Sequence, residues 1–246
     1  MNLEENVAAV ICAAGLSARM GKVKKEYRPL PGSNLTVLGA AVSAFASVPA
    51  IRTIVIAVPD DPETGETAAR NALPPGLLSG EKSPFVFFVP GGKTRRVSVF
   101  NALAALSAYK PGYVFIHDGA RPWISPGLIT RLMAQVKKNG AVIPLSPLTE
   151  TPKETDSPLG NTDAPVFIKT HLRRAFTGTA QTPQAFVFPE IFRAHEKAAR
   201  QEAWQEEPGG EEYTDDAEVW AAFCGPVAAI PGEPENRKIT FPEDLC

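Results

Sequence analysis

The sequence predicts an α/β fold, with a mostly parallel sheet and helices on both of its faces. Three observations carry that reading. Short β-branched or apolar runs recur along the chain, helix-like segments separate them, and 246 residues suit one large α/β domain or two small ones. Strands buried on both faces read as near-continuous apolar runs, and their alternation with helices marks a parallel sheet.

In chain order the runs are "VAAVI" (7–11), "IRTIVIAV" (51–58), "FVFFV" (85–89), "YVFIH" (113–117) and "GAVIPL" (140–145). The clearest helix signal is 94–109, where Val97, Phe100, Leu103, Ala104 and Leu106 approximate one face. Residues 144–165 break the rhythm with five prolines and many polar residues, which on composition is a linker or long loop. Beyond it come "QAFVF" (184–188), a helix-like 189–203, an acidic loop, a helix from Thr214 and the ending "RKITFPEDL" (237–245). These remnants are too sparse for a second core, so residues 1–246 read as a single domain with an excursion.

Composition narrows the function. A net charge of −2 argues against nucleic acid as partner, because such proteins usually carry a broad basic face. The basic residues instead crowd one stretch, with Arg19, Lys22, Lys24, Lys25 and Arg28 opposed only by Glu26. Residues 202–218 carry eight acidic residues and no Lys or Arg, the pattern of a solvated helix and loop. No apolar run approaches the roughly 18 residues that span a membrane. Cys12, Cys224 and Cys246 form no CxxC and cannot all pair, which suits a reducing cytosol. The opening mimics a short signal peptide, but Glu4 and Glu5 stand where its basic region belongs. A cytoplasmic protein is expected.

Ligands of open parallel sheets bind at the carboxyl ends of the strands. Three chemically loaded stretches fall at that edge: "AAGLSARM" after the first run, "PGGKTRRVSV" after the third, and "HDGARP" after the fourth. The first is neither a Walker A loop nor a GxGxxG fingerprint: Gly15 to Gly21-Lys22 is one residue too long, and Gly-Leu-Ser replaces Gly-x-Gly. It is either a small-residue turn whose backbone N–H groups meet phosphates, backed by Arg19 and Lys25, or a solvated basic loop. In the second, Gly91-Gly92 can bring backbone to a flat ligand with Ser98 facing it, or the stretch is a turn with Thr94 as helix cap. In the third, Asp118 and Arg121 follow a strand end, where a carboxylate suits a metal, a ribose or an amine; His117 reads as a locally packed histidine. No His/Cys metal spacing and no Ser-His-Asp arrangement is present.

Taken in order, these stretches resemble the 2-C-methyl-D-erythritol 4-phosphate cytidylyltransferases. Ala13-Ala14-Gly15…Arg19-Met20 is similar to the family's A-A-G-x-G-x-R-M, and Lys25-Glu26-Tyr27 to its K-Q-Y. Gly91-Gly92…Arg95…Ser98-Val99, His117-Asp118-Gly119-Ala120-Arg121-Pro122, Thr182-Pro183-Gln184, Thr214-Asp215-Asp216 and the run Asn236 to Leu245 match further motifs. Ser17 replaces the second glycine of the first motif, and Lys24 and Glu26 replace Pro and Gln beside Lys25.

The resemblance implies a Rossmann-like nucleotidyltransferase sheet in a three-layer α/β/α arrangement, with a protruding dimerisation arm at about 147–174. It implies CTP and a polyol phosphate as substrates, with Mg²⁺ held mainly by the CTP phosphates. Ala13, Ala14, Gly15, Arg19 and Lys25 would bind the triphosphate, Gly91, Gly92 and Ser98 the cytosine, and Asp118 and Gly119 the ribose end. Asp118, Arg121, Thr182 and Lys238 would bind the alcohol phosphate, joined across a homodimer by Thr151, Lys153 and Arg174. Arg19, Lys25, Arg174 and Lys238 would be catalytic; replacing Lys25 or Arg19, read as exposed charges, is expected to leave folding nearly intact. The rival readings are a ribitol-5-phosphate cytidylyltransferase and an inactive nucleotide-binding regulator.

Overall fold

Strand β1 (Val7–Cys12) shows why the sheet is buried on both sides. Val7, Ala9 and Ile11 pack into one apolar cluster, and Ala8 and Val10 into another. Successive strand residues face opposite ways, so a strand apolar at every position must be covered twice. In the computed structural model, which describes residues 6–15, 17, 24–79, 84–160, 164–204 and 213–245, helices do the covering.

After β1 come α1 (Val37–Ala46), β2 (Ile51–Val58), α2 (Glu66–Asn71), α3 (Gly76–Ser79), β3 (Phe85–Pro90), α4 (Arg95–Leu106) and β4 (Tyr113–Asp118). Then follow α5 (Pro126–Asn139), β5 (Ala141–Pro147), β6 (Lys153–Thr155), β7 (Ile168–His171), β8 (Gly178–Ala180) and β9 (Gln184–Val187). The chain closes with α6 (Phe188–Trp204), α7 (Asp216–Phe223) and β10 (Ala228–Pro231). Leu38, Val42 and Phe45 of α1 and Leu128, Leu132 and Val136 of α5 cover one face. Val99, Leu103 and Leu106 of α4, Ile191 and Ala198 of α6, and Val219 and Trp220 of α7 cover the other. Burying a side chain of this size stabilises by roughly 1.5–3 kcal/mol, which is why the two clusters dictate the layers.

The sheet order is β10-β5-β9-β4-β1-β2-β3, with β8 also paired to β5. Strands β4, β1, β2 and β3 run parallel, as do β5 and β10. Strand β9 is antiparallel to both β4 and β5, and β8 is antiparallel to β5. The fold is therefore the expected mostly parallel α/β sheet with a mixed half. Local signals set the helix ends: Ser125 accepts from the Leu128 N–H at the start of α5, Pro126 follows it, and Gly140 at φ +78° stops the helix.

The proline-rich excursion differs from a plain loop. Lys153–Thr155 pairs antiparallel with Ile168–His171, Lys153 opposite His171, to make a small separate hairpin. The β-branched and aromatic stretch "VFIKT" at 166–170 supplies strand preference that the proline count conceals. Around the hairpin Leu159, Phe167 and Phe176 are 81%, 70% and 76% exposed. Among the described residues no helix is long and apolar enough to cross a membrane.

Candidate active site

The carboxyl ends of β1 to β4 open into one cavity of about 1000 Å³. Cys12, Ala14 and Gly15 reach it from β1, Pro59 to Thr64 from β2, Gly91 and Gly92 from β3, and Asp118 from β4. The glycines are sterically required. A Cβ on Gly91 would lie 2.2 Å from the Ala14 Cβ, and one on Gly92 would lie 2.1 Å from the Val97 Cγ1. Thr94 caps α4 by accepting from the Val97 N–H, and the same turn lines the cavity. Ser98 Oγ accepts from the Gly92 N–H at 3.0 Å and donates to Thr94 O at 2.9 Å, so its hydroxyl fixes the turn.

Asp118 is the electrostatic centre. Lys238 Nζ lies 2.9 Å from its Oδ2, Arg121 Nε 3.6 Å from the same oxygen, and Arg95 Nε 3.4 Å from Oδ1. Burial works to raise its pKa, but the Arg95, Lys238 and Arg121 charges outweigh that and hold the carboxyl well below the usual range. Behind it, His117 is fully buried. Its Nε2 lies 3.1 Å from Arg121 O, which can only accept, so Nε2 carries the proton. Nδ1 then accepts from the Thr182 hydroxyl at 3.0 Å, and Thr182 Oγ1 accepts from the Asp118 N–H at 3.1 Å. Burial lowers the His117 pKa to about 4, keeping the ring neutral.

Residues that depart from the family pattern tie Gly15 and Ser17 to Lys24, Lys25 and Glu26. Ser17, at φ +50°, donates to Glu26 Oε2 and accepts from the Lys25 N–H, each at 3.3 Å. Lys24 Nζ donates to Gly15 O and pairs with Glu26 at 3.3 Å. Burial lowers the Lys24 pKa, with Glu26 opposing. Lys25 is only 9% exposed and donates from Nζ to Ile239 O at 2.8 Å. A solvated basic loop therefore does not describe Lys24 and Lys25, because their apolar stems and partners take them into the protein. Arg19 and Lys22 lie outside the described residues.

Of the residues expected from sequence, Ala14, Gly15, Lys25, Gly91, Gly92, Ser98, Asp118 and Lys238 line the one cavity. Ala13 and Gly119 are held just behind it by the Ala13 N–H to Ala57 O and Gly119 N–H to Cys12 O bonds; Ala120 is the lining residue instead. Arg121 and Thr182 act on Asp118 from outside the lining, and Arg121 Nη1 donates to Asn236 O at 2.8 Å. Thr151, Lys153 and Arg174 belong to the arm: Lys153 Nζ lies 2.9 Å from His171 Nδ1, and Arg174 donates to Thr149 O at 2.8 Å. Within the described residues none of the three lines the cavity. Asp60, Asp61, Glu63 and Arg95 line it without having been singled out as site residues. The signal was available, since 59–64 follows a strand at the same carboxyl edge as the other three stretches.

A glycine-lined cavity at the carboxyl edge of a parallel sheet, with the buried Lys25 and one multiply paired carboxylate, is the ligand-site architecture of an open α/β protein. The chain belongs to the 2-C-methyl-D-erythritol 4-phosphate cytidylyltransferase (IspD) family, whose model matches residues 7–246. It is 38% identical over 249 aligned residues to the bifunctional enzyme IspD/IspF of Bradyrhizobium sp. (strain ORS 278), covering 100% of this chain and 56% of that protein. The chain thus spans about half the length of the curated relatives it matches. In structure it is similar to 4-diphosphocytidyl-2C-methyl-D-erythritol synthase from Anaerococcus prevotii DSM 20548. That match has a TM-score of 0.75 and 26% identity, over 98% of this chain and 95% of the other. It is also similar to 2-C-methyl-D-erythritol 4-phosphate cytidylyltransferase from Thermus thermophilus, with a TM-score of 0.68, 30% identity, and 98% and 95% coverage.

Proposed function

We propose that the chain transfers a cytidylyl group from CTP to 2-C-methyl-D-erythritol 4-phosphate in the cytoplasm, as a step of non-mevalonate isoprenoid synthesis. The products are 4-CDP-2-C-methyl-D-erythritol and diphosphate. The observation that carries the reading is the gathering of Lys25, Gly91-Gly92, Asp118 and Lys238 around one cavity, with Lys25 bonded to a carbonyl 214 positions away.

The substrate phosphate oxygen attacks the α-phosphorus in line; that P–O bond forms as the α–β bridge breaks and diphosphate leaves. A phosphate monoester is already largely dianionic near pH 7, its second pKa being about 6, so no general base is needed. The work is to bring two polyanions together and to stabilise charge on the leaving group. Lys25 and Arg19 serve the triphosphate, the Ala14-Gly15 backbone its oxygens, Gly91 and Gly92 the base, and Asp118 the ribose. Lys238 orients the attacking phosphate.

Among the described residues no three His, Cys, Asp or Glu side chains gather as a metal cage. That donor set fits Mg²⁺ bound mostly through phosphates and water, with at most one or two of the cavity's carboxylates. The ion, when bound, neutralises triphosphate charge.

The arm at 147–174, inserted in a single nucleotidyltransferase domain, is read as the homodimer contact. Its exposed Leu159 and Phe167, with the exposed Phe176 just beyond it, support that reading, since exposed apolar side chains gain by being covered. Thr151, Lys153 and Arg174 would then serve the partner's substrate phosphate. The test is diphosphate release from CTP, Mg²⁺ and methylerythritol phosphate. Rapid release with that alcohol phosphate, slower release with ribitol 5-phosphate and none with UTP is expected; no release would sink the proposal.

A further inference from the structure

Gln184 of the Thr-Pro-Gln motif and Asp215 and Asp216 of the Thr-Asp-Asp motif have no role in the proposed reaction, yet they meet behind its site. Gln184 Oε1 accepts from the N–H groups of Asp216 and Ala217, each at 3.0 Å, and Gln184 Nε2 donates to Asp215 at 2.8 Å. The first turn of α7 is thereby fixed to β9, the neighbour of β4. Asp216 is 1% exposed and outside the cavity lining. Its carboxylate meets Arg95 Nη1 at 2.8 Å and the fully buried His195 ring of α6 at 3.3 Å. Arg95 does line the cavity, and its Nε lies 3.4 Å from Asp118 Oδ1.

A guanidinium is a rigid planar fork. Arg95 Nη1 is held by Asp216, Nε makes only a long contact to Asp118 Oδ1, and Nη2 is buried without a hydrogen-bond partner among the described residues. Asp118 Oδ2 stays with Lys238 at 2.9 Å. Without the Asp216 charge, the guanidinium is free to move onto Asp118 and bring Nη2 to it beside Nε, which turns that carboxylate away from Lys238.

We infer that Asp216 is a positioning residue: acting through Arg95, it sets the orientation of the Asp118 carboxylate at the nucleotide end of the cavity. The inference deepens the proposed function and rests on its assignment of Asp118 to the ribose.

The test measures CTP and dCTP binding by calorimetry with Mg²⁺, with diphosphate release followed in parallel, for the wild type, Asp216→Asn and Asp216→Glu. The wild type should prefer CTP. Asp216→Asn should lose about tenfold in CTP affinity, equivalent to roughly 1.4 kcal/mol, with little change for dCTP. Asp216→Glu should keep the preference. General loosening of the fold would weaken both nucleotides alike, so the CTP/dCTP ratio isolates the ribose end. An Asp216→Asn protein with the wild-type ratio overturns the inference, and so does a wild type that binds the two nucleotides equally. If Asp216→Asn does not fold, Arg95→Lys decides: lysine cannot bridge both carboxylates, so an unchanged ratio there also overturns it. A wild type that binds CTP but releases no diphosphate with methylerythritol phosphate instead removes the proposed reaction, a result read before any variant is made.

Discussion

Ion pairs are used in opposite ways at the cavity and on the arm. At the cavity the Asp118 carboxylate and its Arg121 partner are largely out of water, 10% and 12% exposed, while Arg95 and Lys238 reach into the cavity. On the hairpin, Lys169 and Glu154 pair at 2.8 Å with both side chains in solvent. The buried cluster holds a carboxylate far from its ordinary pKa, whereas a pair like the second is generally worth about 0–1 kcal/mol. Apolar side chains follow the same division, being covered beneath the cavity and bare on the arm. The cavity side of the sheet largely satisfies its groups internally, while the arm leaves both its charges and its apolar side chains to solvent.

That contrast can be broken most severely at Lys25. Lys25→Ala should cut kcat/KM by on the order of 10²–10³, as for loss of one preorganised transition-state donor. Sequence reading treats this lysine as an exposed charge whose loss spares the fold. Its burial and its bond to Ile239 O change that: the melting temperature should also fall, since a hydrogen bond from a charged group is worth about 1.5–3 kcal/mol. Turnover within a few-fold of wild type would remove Lys25 from the chemistry.

His117 sharpens the comparison through pH. Its folded pKa of about 4 lies below the ordinary 6.5, so the unfolded chain takes up the proton first as pH falls. Its contribution is intact above pH 6.5 and is lost progressively down to about pH 4, up to roughly 3 kcal/mol in all. Denaturant melts of wild type and His117→Gln should converge across that window. Parallel pH slopes for the two proteins would show that another group is responsible.

Glycine substitutions compare the regions directly. Gly91→Ala forces a Cβ to within 2.2 Å of Ala14 and should cost about 1–3 kcal/mol, with weakened CTP binding by calorimetry. Gly160→Ala on the arm, with nothing within 4 Å of the new methyl, should leave both melting and CTP binding unchanged. Phe176→Ser should likewise shift stability by no more than about 0.5 kcal/mol, by melting of the dissociated chain. Sedimentation should nevertheless show weakened self-association. A Phe176→Ser protein that associates like wild type would exclude that ring from the contact.

The difference between the regions also explains what was legible in the sequence. Strands β1, β2, β4 and the start of β5 are visible because burial on both faces leaves their apolar runs nearly unbroken, and the edge strand β3 because its run is aromatic and β-branched. The glycine turn and Asp118 are visible because a loaded stretch after a strand has few other uses. Strand β9 is different, since nothing in "QAFV" says that it inserts antiparallel between β4 and β5. That pairing is long-range and is decided by neighbours. The contacts of Asp216 with Arg95 and His195 were hidden for the same reason, as three elements far apart in the chain supply them. The hairpin was hidden by its prolines, which mark turns but do not exclude short strands between them.

The base of the arm has a further consequence. Pro147 and Gly178 face each other across the β5–β8 ladder, so the chain leaves the sheet and re-enters it at adjacent points. Closing a loop costs entropy only as the logarithm of its length, so what lies between those points can lengthen, shrink or be exchanged at little cost to the sheet. The fold thus carries a graft point. A chimera that takes residues 148–177 from a relative should inherit the donor's choice of dimer partner while keeping its own nucleotide preference, and selection could have rewired assembly in the same way without touching the cavity.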